Sequence, residues 1–506
     1  MKRKIVTMIL AFAMLLAFVG CGEGNNLLSA EELEAQMPAG SMGLVIEAEE
    51  GGQDIAMGAG VEVDPHFFTN NVGRSGVTDT GESWTCTVDD WELIVSYMQQ
   101  MRLERIRVML LPSWYAPTTG TYTDASYAYR FDSEEMQSLY ELLDVAQEQG
   151  MTVNLTLWGI DHYNTNFIPA EQVNNWISIP TEGEEYVLAK MFADCVAHLK
   201  NTLGYSCIEE ITVYNEPNTV FETYFGTAGF YAYVDLVEEI DAAFRSAGLR
   251  DGVLFCLSDD AEDVSWMGRT LDALENIIDV AVSHTYAYGE ETGNTYMQED
   301  LARWANYYEE YGIPHFWGEF GTNDGGTYEM SDENNWDPVR GTTIARIALN
   351  MIGSGSVGMS YWVLYSQYYG STGSDDIMSM GLIGFADENW ACRPVWYAYS
   401  MFTRYFRAGY EIYRIDSGSD EVVALAVRDP VADSWNYFAV NTGDGMQSVS
   451  FLNTCASVSD MSVLLYDAAN VPTNNMVITA SDRVAGGQIV TYEIPANGFA
   501  VITEVI

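Results

Sequence analysis

Apolar runs of strand length recur along this chain, and each is followed by a stretch whose apolar residues repeat at helical spacing. The strand candidates are residues 59–63, 105–111, 152–158, 210–214, 252–258, 280–284, 314–318 and 357–363. The helix candidates are 88–101, 133–149, 184–201, 228–246, 263–275, 298–311, 338–353 and 394–405. In 88–101 the residues Trp91, Ile94, Val95 and Met98 share one face, and 133–149 opens on a Ser133 cap. Strand-then-helix units repeated eight times over roughly 350 residues predict an α/β fold, a parallel sheet closed into a (β/α)8 TIM barrel. An open, doubly wound sheet is the alternative.

After about residue 409 the pattern changes. Short alternating runs at 411–415, 422–428, 435–440, 447–452, 462–466, 476–480 and 488–494 are punctuated by Gly, Asn and Asp, without helical spacing between them. They predict an all-β module, a C-terminal sandwich, to which residues 45–48 offer an edge strand. The expected organisation is a signal peptide at 1–20, a lipidated tether with that edge strand at 21–54, a catalytic barrel at 55–408 and a sandwich at 409–506.

The leader is read from its order of residue types. Met1-Lys2-Arg3-Lys4 is basic, 5–18 is apolar, and Phe18-Val19-Gly20-Cys21 resembles a bacterial lipobox. The apolar run is short for a membrane span. Cleavage before Cys21, with a lipid on its thiol, is expected; plain secretion after a small-residue site is the alternative. Residues 22–40 then read as a polar, acidic tether. The protein is expected at a bacterial cell surface or in the periplasm, touching the membrane only through its anchor. No later stretch reads as a transmembrane helix.

Charge narrows the partners. The chain carries 73 Asp and Glu against 22 Lys and Arg, a formal charge of −51. Nucleic acid and anionic lipid surfaces are excluded by repulsion. A hydrophobic share of 48% excludes a mostly disordered chain. Aromatics, at 13%, suit core packing and also stacking on sugars. There is no glycine-rich nucleotide loop after the first strand and no calcium-loop pattern. Besides Cys21, Cys86, Cys195, Cys207, Cys256, Cys392 and Cys455 lack C-x-x-C spacing, so a structural zinc is not expected and buried free thiols are.

Barrel chemistry comes from the carboxyl ends of strands. The fourth candidate strand runs into Tyr214-Asn215-Glu216-Pro217, and the seventh ends Trp317-Gly318-Glu319-Phe320-Gly321. Two carboxyls facing across a cleft can cleave a glycosidic bond, one donating a proton and the other attacking the anomeric carbon. The bland alternatives are a helix-start carboxylate for Glu216 and a solvated turn residue for Glu319. Asp259-Asp260 and Asp375-Asp376 read as solvated. Trp114, Tyr115, Trp158 and the aromatic run 361–369 are candidates for either packing or sugar contact.

Asn215-Glu216-Pro217 and Trp317-Gly318-Glu319-Phe320-Gly321 resemble the motifs of glycoside hydrolase clan A, retaining (β/α)8-barrel glycosidases that include families 5, 30, 39 and 51. Arg107, the His284-x-Tyr286 pair and Trp362 match further positions of that clan. The resemblance implies Glu216 as general acid and base, Glu319 as nucleophile, and Asn215 on the sugar 2-hydroxyl. It implies Arg107 and Tyr286 beside Glu319, His284 on the acid side, and Trp362 under a sugar face. Arg107 pairing a buried carboxylate, His284 as a core histidine and Trp362 as barrel packing are the structural alternatives. The expected function is a retaining glycoside hydrolase cleaving β-linked glycans of plant or related polysaccharides through a covalent glycosyl-enzyme. It needs no metal or organic cofactor, and its two carboxyls should stand about 5–5.5 Å apart. A transglycosylase on the same scaffold and a non-catalytic, lipid-anchored sugar-binding protein are the other readings.

Overall fold

The computed structural model describes residues 27–48, 54–78, 80–116, 122, 128–159, 165–173, 177–287, 294–322, 332–368 and 377–505. Cys21 and the leader, Tyr369 and the Asp375-Asp376 pair lie outside them. Contacts divide the chain into two compact units: residues 57–408 with 468–478, and residues up to 56 with 409–467 and 479 onward.

The larger unit is a closed barrel of parallel strands. In chain order they are β1 (Gly58–Glu62), β2 (Arg105–Leu110), β3 (Thr152–Leu157), β4 (Ile208–Thr212), β5 (Leu254–Ala261), β6 (Val280–Ala287), β7 (His315–Thr322) and β8 (Gly358–Tyr361). β8 closes on β1, with Gly358 beside Gly58 and Tyr361 beside Val61. Helices cover the outside and side chains fill the inside, so the strands are buried on both faces. All of β7 is buried, polar residues included. That is why these strands read as near-continuous apolar runs.

Local chemistry sets the helix ends. Ser133 Oγ accepts from the Met136 N–H at 3.2 Å at the start of the helix Glu134–Gln149, and Gly150 ends it at φ 69°. A short helix, Pro217–Phe225, follows Glu216 directly and was not expected; Pro217 at its first position needs no N–H partner. The helix expected over 184–201 is α-helical over Glu185–Ala197 and continues as a π-turn, His198–Leu203.

The smaller unit has two sheets. One has seven strands, in the order Asp54–Ile55, Glu411–Ile415, Val422–Asp429, Ser434–Asn441, Gly498–Thr503, Met461–Asp467 and Asp482–Val484. The other pairs Met42–Ile46, Gln447–Asn453 and Ile489–Ile494. Leu44, Ile46, Val449 and Phe451 share one core with Tyr413, Trp435, Tyr437 and Val463, as facing sheets do. Two expectations need correction. Residues 476–480 form no strand, in spite of their apolar run, and 476–478 group with the barrel unit. The tether expected through residue 40 is structured from Leu28, whose N–H donates to Gln488 Oε1 at 3.0 Å. Ser29 and Glu32 form a capping box on the helix Ala30–Glu34, which buries Leu33. Among the described residues no helix is long and apolar enough to cross a membrane.

Candidate active site

Backbone turns at the strand ends bring distant residues together. Tyr214 and Glu216 are left-handed, at φ 74° and 46°. This puts the Glu216 side chain at the barrel mouth, where it is 21% exposed. Glu319, on β7, is 5% exposed. Of the two carboxyls, Glu216 is therefore the one placed to exchange protons with water. An oxygen of each, together with a nitrogen of His284, lies within 4.8 Å of the others.

Arg107 on β2 is the hub. Its Nη1 donates to Glu319 Oε1 at 2.6 Å and to Glu62 Oε2 at 2.7 Å. Its Nη2 donates to Asn215 Oδ1 at 2.7 Å and to Asp259 Oδ2 at 2.9 Å. A planar fork with fixed hydrogens can serve such a set, and it fixes each acceptor in turn. The other Glu319 oxygen accepts from the Tyr286 hydroxyl at 2.6 Å. His284 bridges two acids, with Nδ1 3.0 Å from Glu216 Oε1 and Nε2 3.1 Å from Asp259 Oδ1.

Burial and charge compete throughout this cluster. Burial pushes the Glu62 carboxyl up to about 7, against the pull of Arg107. Burial also raises Glu319, and Glu216 adds to it, while His284 and Arg107 work the other way. Asp259 is held below the ordinary aspartate range: burial would raise it, but Arg107 and His284 outweigh burial. His284 is held well above the ordinary histidine range, because Glu319 and Asp259 outweigh the burial that opposes its charge. Glu62, Glu216, Asp259 and Glu319 thus face two cations, Arg107 and protonated His284. Asp259, flanked by both cations, is the member of this set whose ionised form is favoured.

Glu216, His284 and Glu319 are also spaced as a metal ion could use them. Here hydrogens already point at both Glu319 oxygens, and His284 faces carboxylates with both nitrogens. An imidazolium has no lone pair for a metal, so the set suits proton transfer better.

The structure joins Arg107, Asn215, Glu216, His284, Tyr286 and Glu319 in one network of contacts. Trp362, just past β8, is 7% exposed and stacks on Trp158 at 5.8 Å between ring centroids, 24° apart in plane. Its bond to Val363 is cis. Other aromatics are packing. Trp114 meets His66 edge-on, Tyr115 stacks on Phe131, and buried Tyr365 donates its hydroxyl to the Asp64 carbonyl at 2.7 Å. Two participants escaped the sequence reading. Glu62 is a charge inside the apolar strand β1, a signal that was available. Asp259, expected in solvent, is fully buried, as is Asp260.

Comparison with known proteins agrees with this geometry. Residues 66–367 match the family described as cellulase, glycosyl hydrolase family 5. No curated protein matches the sequence. Similar solved structures include a family 30 subfamily 8 xylanase from Clostridium acetobutylicum, at 13% identity and TM-score 0.62, covering 92% of this chain and 99% of that one. The catalytic domain of family 30 xylanase C from Talaromyces cellulolyticus is 14% identical with TM-score 0.63, over 91% and 99%. A family 39 β-xylosidase from Caulobacter crescentus is 15% identical with TM-score 0.59, over 92% and 99%. At such identities the likeness is one of fold.

Proposed function

The chain belongs to glycosyl hydrolase family 5, the cellulase family, and from that premise we propose that it is a retaining β-glycosidase acting on neutral β-linked polysaccharide. That it is an O-glycosyl hydrolase of clan A, not a binding protein, follows from the family and the fold. The observation carrying the retaining mechanism is the spacing of the two carboxyls. Oxygens of Glu216 and Glu319 lie within 4.8 Å of each other, closer to the about 5–5.5 Å spacing of a retaining pair than to the about 6.5–9.5 Å at which an inverting pair holds a water.

In this reading Glu216 protonates the leaving oxygen while Glu319 attacks the anomeric carbon. Water activated by Glu216 then releases the covalent sugar. Arg107 and Tyr286 aim Glu319 and favour its ionised form. Asn215 spends its carbonyl oxygen on Arg107. Its amide hydrogens are left for the sugar 2-hydroxyl, a contact that tightens in the transition state. Trp362 supplies the apolar floor. The cellulase family and the xylan-active neighbours favour β-glucan and xylan as first substrates. The charge of −51 disfavours anionic glycans. We also propose export with a lipid on Cys21.

The test is stereochemical. Proton NMR of fresh hydrolysis products should show the β anomer first. Glu319→Ala should lose about 10⁴-fold or more in kcat and regain turnover with azide, giving the α-glycosyl azide. A first product of inverted configuration, or an active Glu319→Ala protein, rejects the mechanism.

A further inference from the structure

Asp259 sits where the ladder between β5 and β6 breaks. Ser258 and Asp259 are both left-handed, at φ 77° and 45°, a conformation that costs any residue with a Cβ. The register slips between Ser258 and Asp260. A bulge of this kind re-aims one side chain out of the strand's alternation. Here it turns the Asp259 carboxylate into the barrel, fully buried, with Oδ2 on Arg107 and Oδ1 against His284. Gly318 on β7 faces the same contact. A Cβ there would stand 3.1 Å from Asp259 Oδ1 and 3.2 Å from His284 Nε2. A left-handed turn and a broken ladder aim one carboxylate inward, and the glycine two strands away on β7 leaves its contact with His284 uncrowded. Strain kept at that cost points to function.

We propose that Asp259 is a positioning residue for the retaining reaction of Glu216 and Glu319, on which reading this inference rests: its one carboxylate holds the Arg107 guanidinium against the nucleophile and the His284 ring against the acid. The two oxygens serve the two halves of the site. Arg107, tied to Asp259 through Nη2, keeps Nη1 on Glu319. His284, tied through Nε2–H, presents Nδ1–H to Glu216. The ring is faced by Asp259 from β5, Glu216 from the end of β4 and Glu319 from β7, with Asp260 next in range and Arg107 beyond Asp259. Asp259 is the anion that holds the second ring proton. Without it the ring turns neutral, and its hold on Glu216 slackens.

The test uses Asp259→Asn, which keeps an acceptor for Nε2–H and removes the charge. On phenyl β-glycosides of cellobiose or xylobiose, which need a proton on the leaving group, kcat/KM should fall about 100-fold. On the 2,4-dinitrophenyl glycosides, which do not, it should fall about tenfold or less. In ¹⁵N spectra the wild-type His284 ring should carry both protons at pH 7, and the Asp259→Asn ring one. Because the wild-type spectrum reads the hold directly, a variant that fails to fold does not shield the proposal. A neutral wild-type His284 at pH 7, or an Asp259→Asn enzyme with parental rates and leaving-group dependence, overturns it. Failure of the underlying mechanism shows elsewhere, as an active Glu319→Ala protein.

Discussion

Arg107 holds its Nη1 2.6 Å from Glu319 Oε1, and both side chains are buried. The same guanidinium binds Glu62, Asn215 and Asp259, so the aim of Glu319, the proposed nucleophile, depends on strands β1 and β5 and on the turn after β4.

Arg107→Lys should therefore not behave as a conservative change. A single ammonium on a flexible stem cannot hold four acceptors in one plane. We expect kcat to fall about 10²–10³-fold. Stability should fall by about 3–5 kcal/mol, because buried carboxylates lose their partner. Steady-state kinetics and urea unfolding measure the two losses, and a fully active lysine variant would remove Arg107 from its role as hub.

Trp362 stacks on Trp158, and the Arg107 guanidinium lies over the Trp158 ring at 5.4 Å. If Trp362 forms the floor under a bound sugar, Trp362→Ala loses roughly 1.5–3 kcal/mol of apolar contact, about 10–100-fold in kcat/KM. Much of that loss should appear in KM. Unchanged KM and kcat on a glycan substrate would leave the ring a packing role only.

Asp260 offers a test of stability against pH. Its carboxyl is raised to about 7, because burial outweighs the hydrogen bonds it accepts from Ser283, Ser258 and the Asp263 N–H. The folded state thus keeps a proton that the unfolded state gives up near pH 4. Stability from this group is complete below about pH 4 and is lost as pH rises through 7, a change on the order of 4 kcal/mol. Asp260→Asn can serve the same partners without titrating. Its stability relative to wild type should rise from pH 4 to pH 8 in urea unfolding. A flat difference would mean Asp260 is ionised in the fold.

Cys21→Ala removes the thiol that the lipid needs. Cells expressing it should show the protein leaving the detergent-dependent membrane fraction, and a palmitate label should be lost with it. Retention of both would assign the anchor elsewhere.

The barrel was legible because a parallel strand covered on both faces must be apolar almost throughout, and each of the eight runs shows it. Glu216 and Glu319 could be singled out because their motifs are contiguous, and the fold brings an oxygen of each within 4.8 Å. Met476 to Ala480 misled, since an apolar alternation is compatible with a strand or with a segment laid irregularly on a neighbouring surface. The Gly498–Thr503 strand was missed although its run is as apolar as others read as strands.

From the order of residues alone follow the fold class, the strand ends that present carboxyls, and the types of side chain available there. The folded chain had to settle which charges share a site. Glu62 lies 45 residues from Arg107, and Asp259 lies 152 residues from it. Nothing local distinguishes a buried aspartate from a solvated one. The pair Asp259-Asp260 reads as surface until the bulge on β5 turns one carboxylate between a guanidinium and an imidazole. Ionisation depends on distance through space and on excluded water, and both are properties of the packed barrel.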